Sequence, residues 1–458
     1  MASTLNSRAP SGRRVIGWNP EDEQFWENSG KFVARRNLML SIFSEHLQFS
    51  VFGIWSVLVL FMSPKIGFDF DAGEKFLLIS TPALVGSLLR LPYSYAVTRF
   101  GGRNWTVFSN SILLVPALLA FHFVQQPHTP LWVFLVISAL TGVGGGNFGS
   151  SMTNISAFFP QRKQGLALGL NAGGGNIGVA VIQIVGLLVI TTFGDLHPSY
   201  VCAIYLPLIA LAALLAAWKM DNIDAVRVDP RAWREAVADA DAWCVSMLYI
   251  GTFGSFVGYS FAFGLVLQNQ FGASPLESAG WTFLGPLLGS LARPVGGWLA
   301  DRWGGARITF WNFILMALGT AGLLVASSLK SLPMFVAVFT VLFVLTGIGN
   351  GSVYKMIPAI YARKAESTAS EQASVVSRRL SGALIGIAGA VGALGGVGVN
   401  LAFRASYNGP AHSGDSAFIV FLAYYALCVA VTWTVYLRRE RTAAQMPEVA
   451  VLERSRAA

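Results

Sequence analysis

The sequence predicts an all-α, polytopic membrane protein of twelve transmembrane helices arranged as two pseudo-symmetric six-helix bundles. Three observations predict it: a composition poor in charge, twelve apolar stretches of spanning length, and a set of residues that recurs at one fixed displacement along the chain. Of 458 residues, 54% are apolar and 12% charged, which is too greasy for an ordinary soluble protein of this size. Lipid is the solvent such a chain requires. A spanning helix needs about 20 mostly apolar residues, and suitable stretches lie near 38–64, 76–98, 104–124, 131–159, 165–190, 198–218, 243–268, 278–300, 307–328, 333–361, 380–402 and 416–437. These are numbered spans 1 to 12.

Charge placement orients them. Residues 1–36 are polar, mix both signs and lack the apolar core of a secretory signal, so the amino terminus is expected to remain, on the cytoplasmic side. Of 32 Lys and Arg, 25 fall in the N-terminal segment, the even-to-odd loops and the C-terminal tail, and only Lys65, Lys75, Lys330 and Arg404 fall in the opposite loops. Basic residues collect on cytoplasmic loops, so both termini are expected in the cytoplasm and the protein in the cytoplasmic (inner) membrane. The same asymmetry accounts for the net charge of +9 without a nucleic-acid partner. Cys202, Cys244 and Cys428 have no metal-ligand spacing and read as small buried hydrophobes.

The most polar interruption, 219–242, carries Asp221, Asp224, Arg227, Asp229, Arg231, Arg234, Glu235, Asp239 and Asp241. It divides the chain into an N-terminal segment 1–36, a first bundle 37–218, a linker 219–242, a second bundle 243–437 and a tail 438–458. Arg90, Arg99, Gly101 and Gly102 recur 203 residues later as Arg293, Arg302, Gly304 and Gly305, and the same displacement carries Gly144, Gly146 and Asn147 onto Gly347, Gly349 and Asn350. The halves therefore read as repeats. Paired six-helix repeats with a site at their interface are what transporters of the major facilitator superfamily contain. The loop after span 8, with Gly297, Asp301, Arg302, Gly304, Gly305 and Arg307, resembles that superfamily's cytoplasmic loop motif. Its first-half copy, from Thr98 to Arg103, lacks the acid. Both read as gating and packing elements.

Three basic residues remain inside spans: Arg90, Arg293 and Lys355. A charge at mid-bilayer costs about 2.5–3.5 kcal/mol on insertion scales and is seldom kept without a use or a partner. Arg90 and Arg293 sit at similar depth on repeat-related helices and are expected to face each other across the centre. Their alternatives are ion pairing with a membrane carboxylate, for which Glu45 is the one acid well inside a span, or capture of an anion by two planar guanidinium forks. Lys355 reads as a side chain snorkelling toward the headgroups. Glu45 and His46, toward the cytoplasmic side of span 1, read either as proton-coupling groups or as a solvated helix end.

Spans 4 and 5 are dense in glycine and asparagine, from Gly142 to Gly149 and from Gly165 to Gly178, and spans 10 and 11 repeat the pattern. Such density suits close helix packing in lipid and does not sit in the strand-to-helix context of a phosphate loop. The run from Gly144 to Ala180, GGGNFGSSMTNISAFFPQRKQGLALGLNAGGGNIGVA, and TGIGNGSVYKMIP, from Thr346 to Pro358, resemble the signatures of the nitrate/nitrite porter family within the major facilitator superfamily. The resemblance runs over essentially all twelve spans. It implies that Arg90 and Arg293 clamp the substrate, that Asn176 hydrogen-bonds it, and that Phe148, Tyr249 and Phe253 form aromatic walls. It also places a family glycine at Gly386, and a family serine falls on Gly389.

The expectation is nitrate/nitrite transport in nitrate assimilation by alternating access, most simply as exchange of nitrate inward for nitrite outward, with proton-coupled nitrate symport as the rival and an anion channel or membrane sensor as readings from other classes. No cofactor or metal is expected, no enzymatic site is found, and the partners are small inorganic anions and the bilayer, with the chain acting as a monomer.

Overall fold

The computed structural model describes residues 14–224, 230–366 and 373–438. Residues 1–13, Arg227 and Asp229 of the linker, and the tail beyond Arg438 lie outside the described residues. Eleven helices among the described residues are long and apolar enough to cross a membrane: Glu23–Phe61, Ala72–Phe100, Gly102–Phe123, Leu131–Phe158, Gln161–Phe193, Ser199–Lys219, Ala240–Phe271, Gly305–Ser328, Leu332–Lys364, Leu380–Tyr407 and Asp415–Leu437. Span 8 completes the twelve. It is split at Phe283 into Pro275–Thr282 and Leu284–Trp303, and with Arg293, Asp301 and Arg302 it is less apolar than the rest. Large apolar side chains such as Leu88, Leu188, Leu214, Leu318 and Ile419 remain exposed on the outside of the bundle, the arrangement that lipid rather than water rewards.

Span 1 departs most from its expected bounds. Its helix begins at Glu23, not near 38, because Asp22 accepts the Phe25 amide and caps a first turn that polar composition conceals. The segment ahead of the first bundle is folded onto it. Trp18 and Trp26 pack with Val97, Ile155, Phe158 and Ile223 in a small separate core, and Arg162 grips Glu23 through both nitrogens at 2.7 Å. Arg14 and Val15 pair in parallel with Asn222 and Ile223.

Within each half, glycine sets how closely helices approach. A Cβ at Gly149 on span 4 would collide with the Arg90 carbonyl on span 2, and one at Gly351 on span 10 would collide with the Arg293 carbonyl on span 8. Two helices thus pack backbone to backbone beneath each arginine, as small residues permit in a membrane. The basic turns after spans 2 and 8 are also alike. Gly101 and Gly304 both hold a positive φ, +86° and +88°, which an L side chain adopts only with strain.

Contacts between the halves gather at the end of the bundle away from the termini. Phe76 on span 2 stacks on Phe403 and Tyr407 of span 11, with centroids 5.6 and 5.3 Å apart, and Phe52 on span 1 meets Phe261 on span 7 at 5.0 Å. Gln183 on span 5 donates to the Ser260 carbonyl at 2.7 Å. The linker is fastened differently at its two ends. Asp221 accepts from Arg36 and Asn37 on the helix of span 1 at 2.5 and 2.7 Å, and Asp224 accepts the amide of Gly17, in the segment folded onto the first bundle, at 3.1 Å. Helix Pro230–Ala238 instead lays Ala232, Trp233 and Ala236 against Ala383 and Ile387 of span 11. Asp239 and Asp241 at its end both hold Lys364. Burial works against the charge on Asp239, but the hydrogen bond from Lys364 and the Asp241 amide outweigh it and hold the carboxyl below its ordinary range.

Candidate anion-binding site

At the midpoint of the interface the two repeat-related arginines lie on opposite bundles, joined by a continuous run of aromatic rings. Arg90 is 2% exposed. Its Nη1 donates to the Gly389 carbonyl of the other half at 2.6 Å, and its guanidinium carbon lies 4.6 Å from the Phe148 ring centroid and 5.0 Å from that of Phe253. Arg293 is half-buried, donates from Nη2 to Tyr249 Oη at 3.2 Å and lies 5.0 Å over the Tyr354 ring. Tyr249 and Phe253 close the run, stacked at 5.1 Å with 8° between planes. Local structure explains that alignment. Residues Ile250–Gly254 form a π-helical turn, a widened turn frequent at functional sites, and Tyr249 and Phe253 flank and enter it.

Electrostatically the cluster is unbalanced. Arg90 Nε and Nη2 and Arg293 Nη1 are buried without hydrogen-bond partners, and no carboxylate pairs with either arginine among the described residues. Cation–π contacts replace part of the lost hydration but offer no acceptor for an N–H in the guanidinium plane. Buried donors are seldom left so. Unpartnered guanidinium donors of this kind are chemically suited to the oxygens of an anion.

Of the other residues expected here, Phe148, Tyr249 and Phe253 are brought to the arginines. Asn176 is buried on span 5 with Oδ1 unpartnered. Gly386 lies elsewhere: a Cβ there would meet the Trp233 ring of the linker helix at 2.8 Å, so its smallness serves the docking of that helix. Gly389, one turn further along span 11, is the glycine at the cluster. A Cβ there would lie 3.3 Å from Tyr354 Oη, 3.7 Å from Arg90 Nη1 and 3.9 Å from Phe148 Cε1.

Glu45 is not at a solvated helix end. Because span 1 starts at Glu23, Glu45 falls within the long helix and is 0% exposed. Its Oε2 accepts from the Ser151 hydroxyl and from Asn171 Nδ2, the latter at 2.8 Å, while Oε1 has no partner. It lies within electrostatic range of both arginines and bonds to neither. His46 faces span 5, with Nδ1 3.1 Å from the Gly174 carbonyl. Lys355 reaches the Asp301 carboxylate at 2.8 Å on an exposed surface and so joins the loop motif after span 8. The residue that sequence reasoning passed over is Tyr354. It stands in the TGIGNGSVYKMIP run, one position before Lys355. Cys202 and Cys428 are buried, and no metal-ligand cluster occurs among the described residues.

Two six-helix bundles meeting over a buried polar site are the architecture of secondary transporters. Residues 46–400 match the Major Facilitator Superfamily. Nitrate/nitrite transporter NarU of Escherichia coli is 40% identical over 448 residues, 92% of this chain and 96% of the relative. Probable nitrate/nitrite antiporter NarK2 of Thermus thermophilus is 34% identical, over 94% of this chain and 98% of the relative. The crystal structure of a D-xylose-proton symporter overlays with a TM-score of 0.64 at 14% identity, covering 88% of this chain and 98% of that one, a likeness of fold alone. The chain belongs to the Major Facilitator Superfamily and, within it, to the nitrate/nitrite porter family.

Proposed function

We propose that this protein transports nitrate and nitrite by alternating access, holding one anion between Arg90 and Arg293 and exchanging nitrate inward for nitrite outward. It acts as a monomer in the cytoplasmic membrane, with both termini in the cytoplasm. One observation carries the reading: two guanidinium groups, one from each bundle, are buried at the interface with three nitrogens unpartnered and no bonded carboxylate among the described residues. Moving such a site empty across the membrane would carry two like charges without an anion between them. An anion relieves the repulsion, which favours exchange over net movement. The names of the relatives support nitrate and nitrite as the cargo. With the termini in the cytoplasm, closure at the far end supports an inward-facing state.

The test is counterflow in proteoliposomes. Internal nitrite is expected to accelerate uptake of labelled nitrate severalfold. Equal uptake with and without an internal anion sinks the exchange mechanism. A second reading, proton-coupled nitrate symport, is favoured by Glu45, a buried carboxyl with one unpartnered oxygen in range of the arginines. It predicts nitrate accumulation driven by a pH gradient alone and lost in Glu45→Gln, whereas the exchange reading predicts no accumulation under that gradient.

A further inference from the structure

We propose that the Tyr354 hydroxyl is a further anion-binding donor, admitted to the site by the missing side chain of Gly389. The proposal rests on reading the arginine pair as an anion site. Tyr354 is held by two ring contacts: Tyr249 packs 4.5 Å from it at 37°, and the Arg293 guanidinium lies 5.0 Å over it. With the ring so confined, its hydroxyl has a fixed address. That address is the small space at Gly389, where one added carbon would be in contact with Tyr354 Oη, Arg90 Nη1 and Phe148 together.

Tyr354 Oη is buried and has no hydrogen-bond partner among the described residues. A buried hydroxyl without an acceptor is unfavourable, and the two protein acceptors beside it each already take a hydrogen bond from an arginine. The Gly389 carbonyl accepts from Arg90, and the Tyr249 hydroxyl accepts from Arg293. The unpartnered guanidinium nitrogens are themselves donors and cannot satisfy it. An oxyanion between the arginines supplies the acceptor that Tyr354 Oη does not have. Tyr354 then acts as a neutral third arm on the second bundle. Its ligand is a planar oxyanion with an oxygen to spare after each guanidinium has taken one, and nitrate has that third oxygen.

Tyr354→Phe removes the hydroxyl and keeps the ring. Hydrogen bonds to charged groups are the strong ones, so the nitrate concentration for half-maximal uptake is expected to rise about tenfold, with the maximal rate changed much less. In Tyr354→Phe combined with Gly389→Ser, the departed phenol oxygen leaves room for a serine hydroxyl, and half-saturation is expected to return most of the way. An unchanged half-saturation in Tyr354→Phe overturns the proposal, as does a folded double variant no better than the single one. Failure of the unmodified protein to take up nitrate sinks the underlying reading of the arginine pair instead.

Discussion

Arg90 and Arg293 differ in how they are held, and the difference has consequences at each position. Arg90 is enclosed by two phenyl rings and spends one nitrogen on the opposite bundle, whereas Arg293 leans on two tyrosines and is half-buried. Replacing either by lysine keeps a charge but loses the planar fork. Nitrate uptake at subsaturating concentration is expected to fall at least tenfold in each, and unimpaired uptake in either variant would remove that arginine from the site. The pair was legible in the sequence because two unneutralised basic residues at one displacement stand out against an apolar background. Tyr354 was not, because a tyrosine in an apolar helix looks like packing until its hydroxyl is found without a partner. Of the two readings of Glu45, the solvated helix end fails for a reason of scale. A polar lead sequence resembles a tail, but caps and side-chain clamps of the kind that Asp22 and Arg162 make carry the helix back to Glu23.

At the level of the helices, glycine density was readable but the duty of each glycine was not, since that depends on which surface another helix covers. Gly149 on span 4 lies against the Arg90 carbonyl, whereas Gly173, in the glycine-rich run of span 5, would meet nothing within 4 Å of an added Cβ. Gly149→Ala must push spans 2 and 4 apart and carry Arg90 with them, at a cost of roughly 1–3 kcal/mol for overpacking. The expected result is a lower melting temperature in detergent and at least a tenfold loss of transport. Gly173→Ala should leave both unchanged, and equal effects at the two positions would show that glycine acts through helix propensity. Likewise, the tyrosine and phenylalanine of span 7 were identified, but the π-helical turn that stacks them carries no sequence signal beyond two glycines.

For the whole molecule, the two-bundle plan followed from hydropathy, charge asymmetry and repetition, and even weakly apolar span 8 was found as an apolar stretch near 278–300. Which end is closed could not be read, because the two packings of a transporter differ by only a few kcal/mol and share one sequence. In the structure, Gly73 on span 2 faces the Asn408 side chain at the end of span 11. A Gly73→Cys, Asn408→Cys pair is expected to form a disulfide under mild oxidation and to arrest uptake, with recovery on reduction. Cross-linking without loss of uptake would mean that this end of the bundle does not need to open.

The split anchorage of the linker bears on how far the other end can open. Asp224 is tied to the segment folded onto the first bundle, and the helix starting at Pro230 rides on the second. A chain covers at most about 3.3–3.6 Å per residue however it is drawn out, so anchors six positions apart can be separated by no more than about 20 Å. While both anchors hold, that limit would cap any swing of one half against the other that the proposed exchange requires.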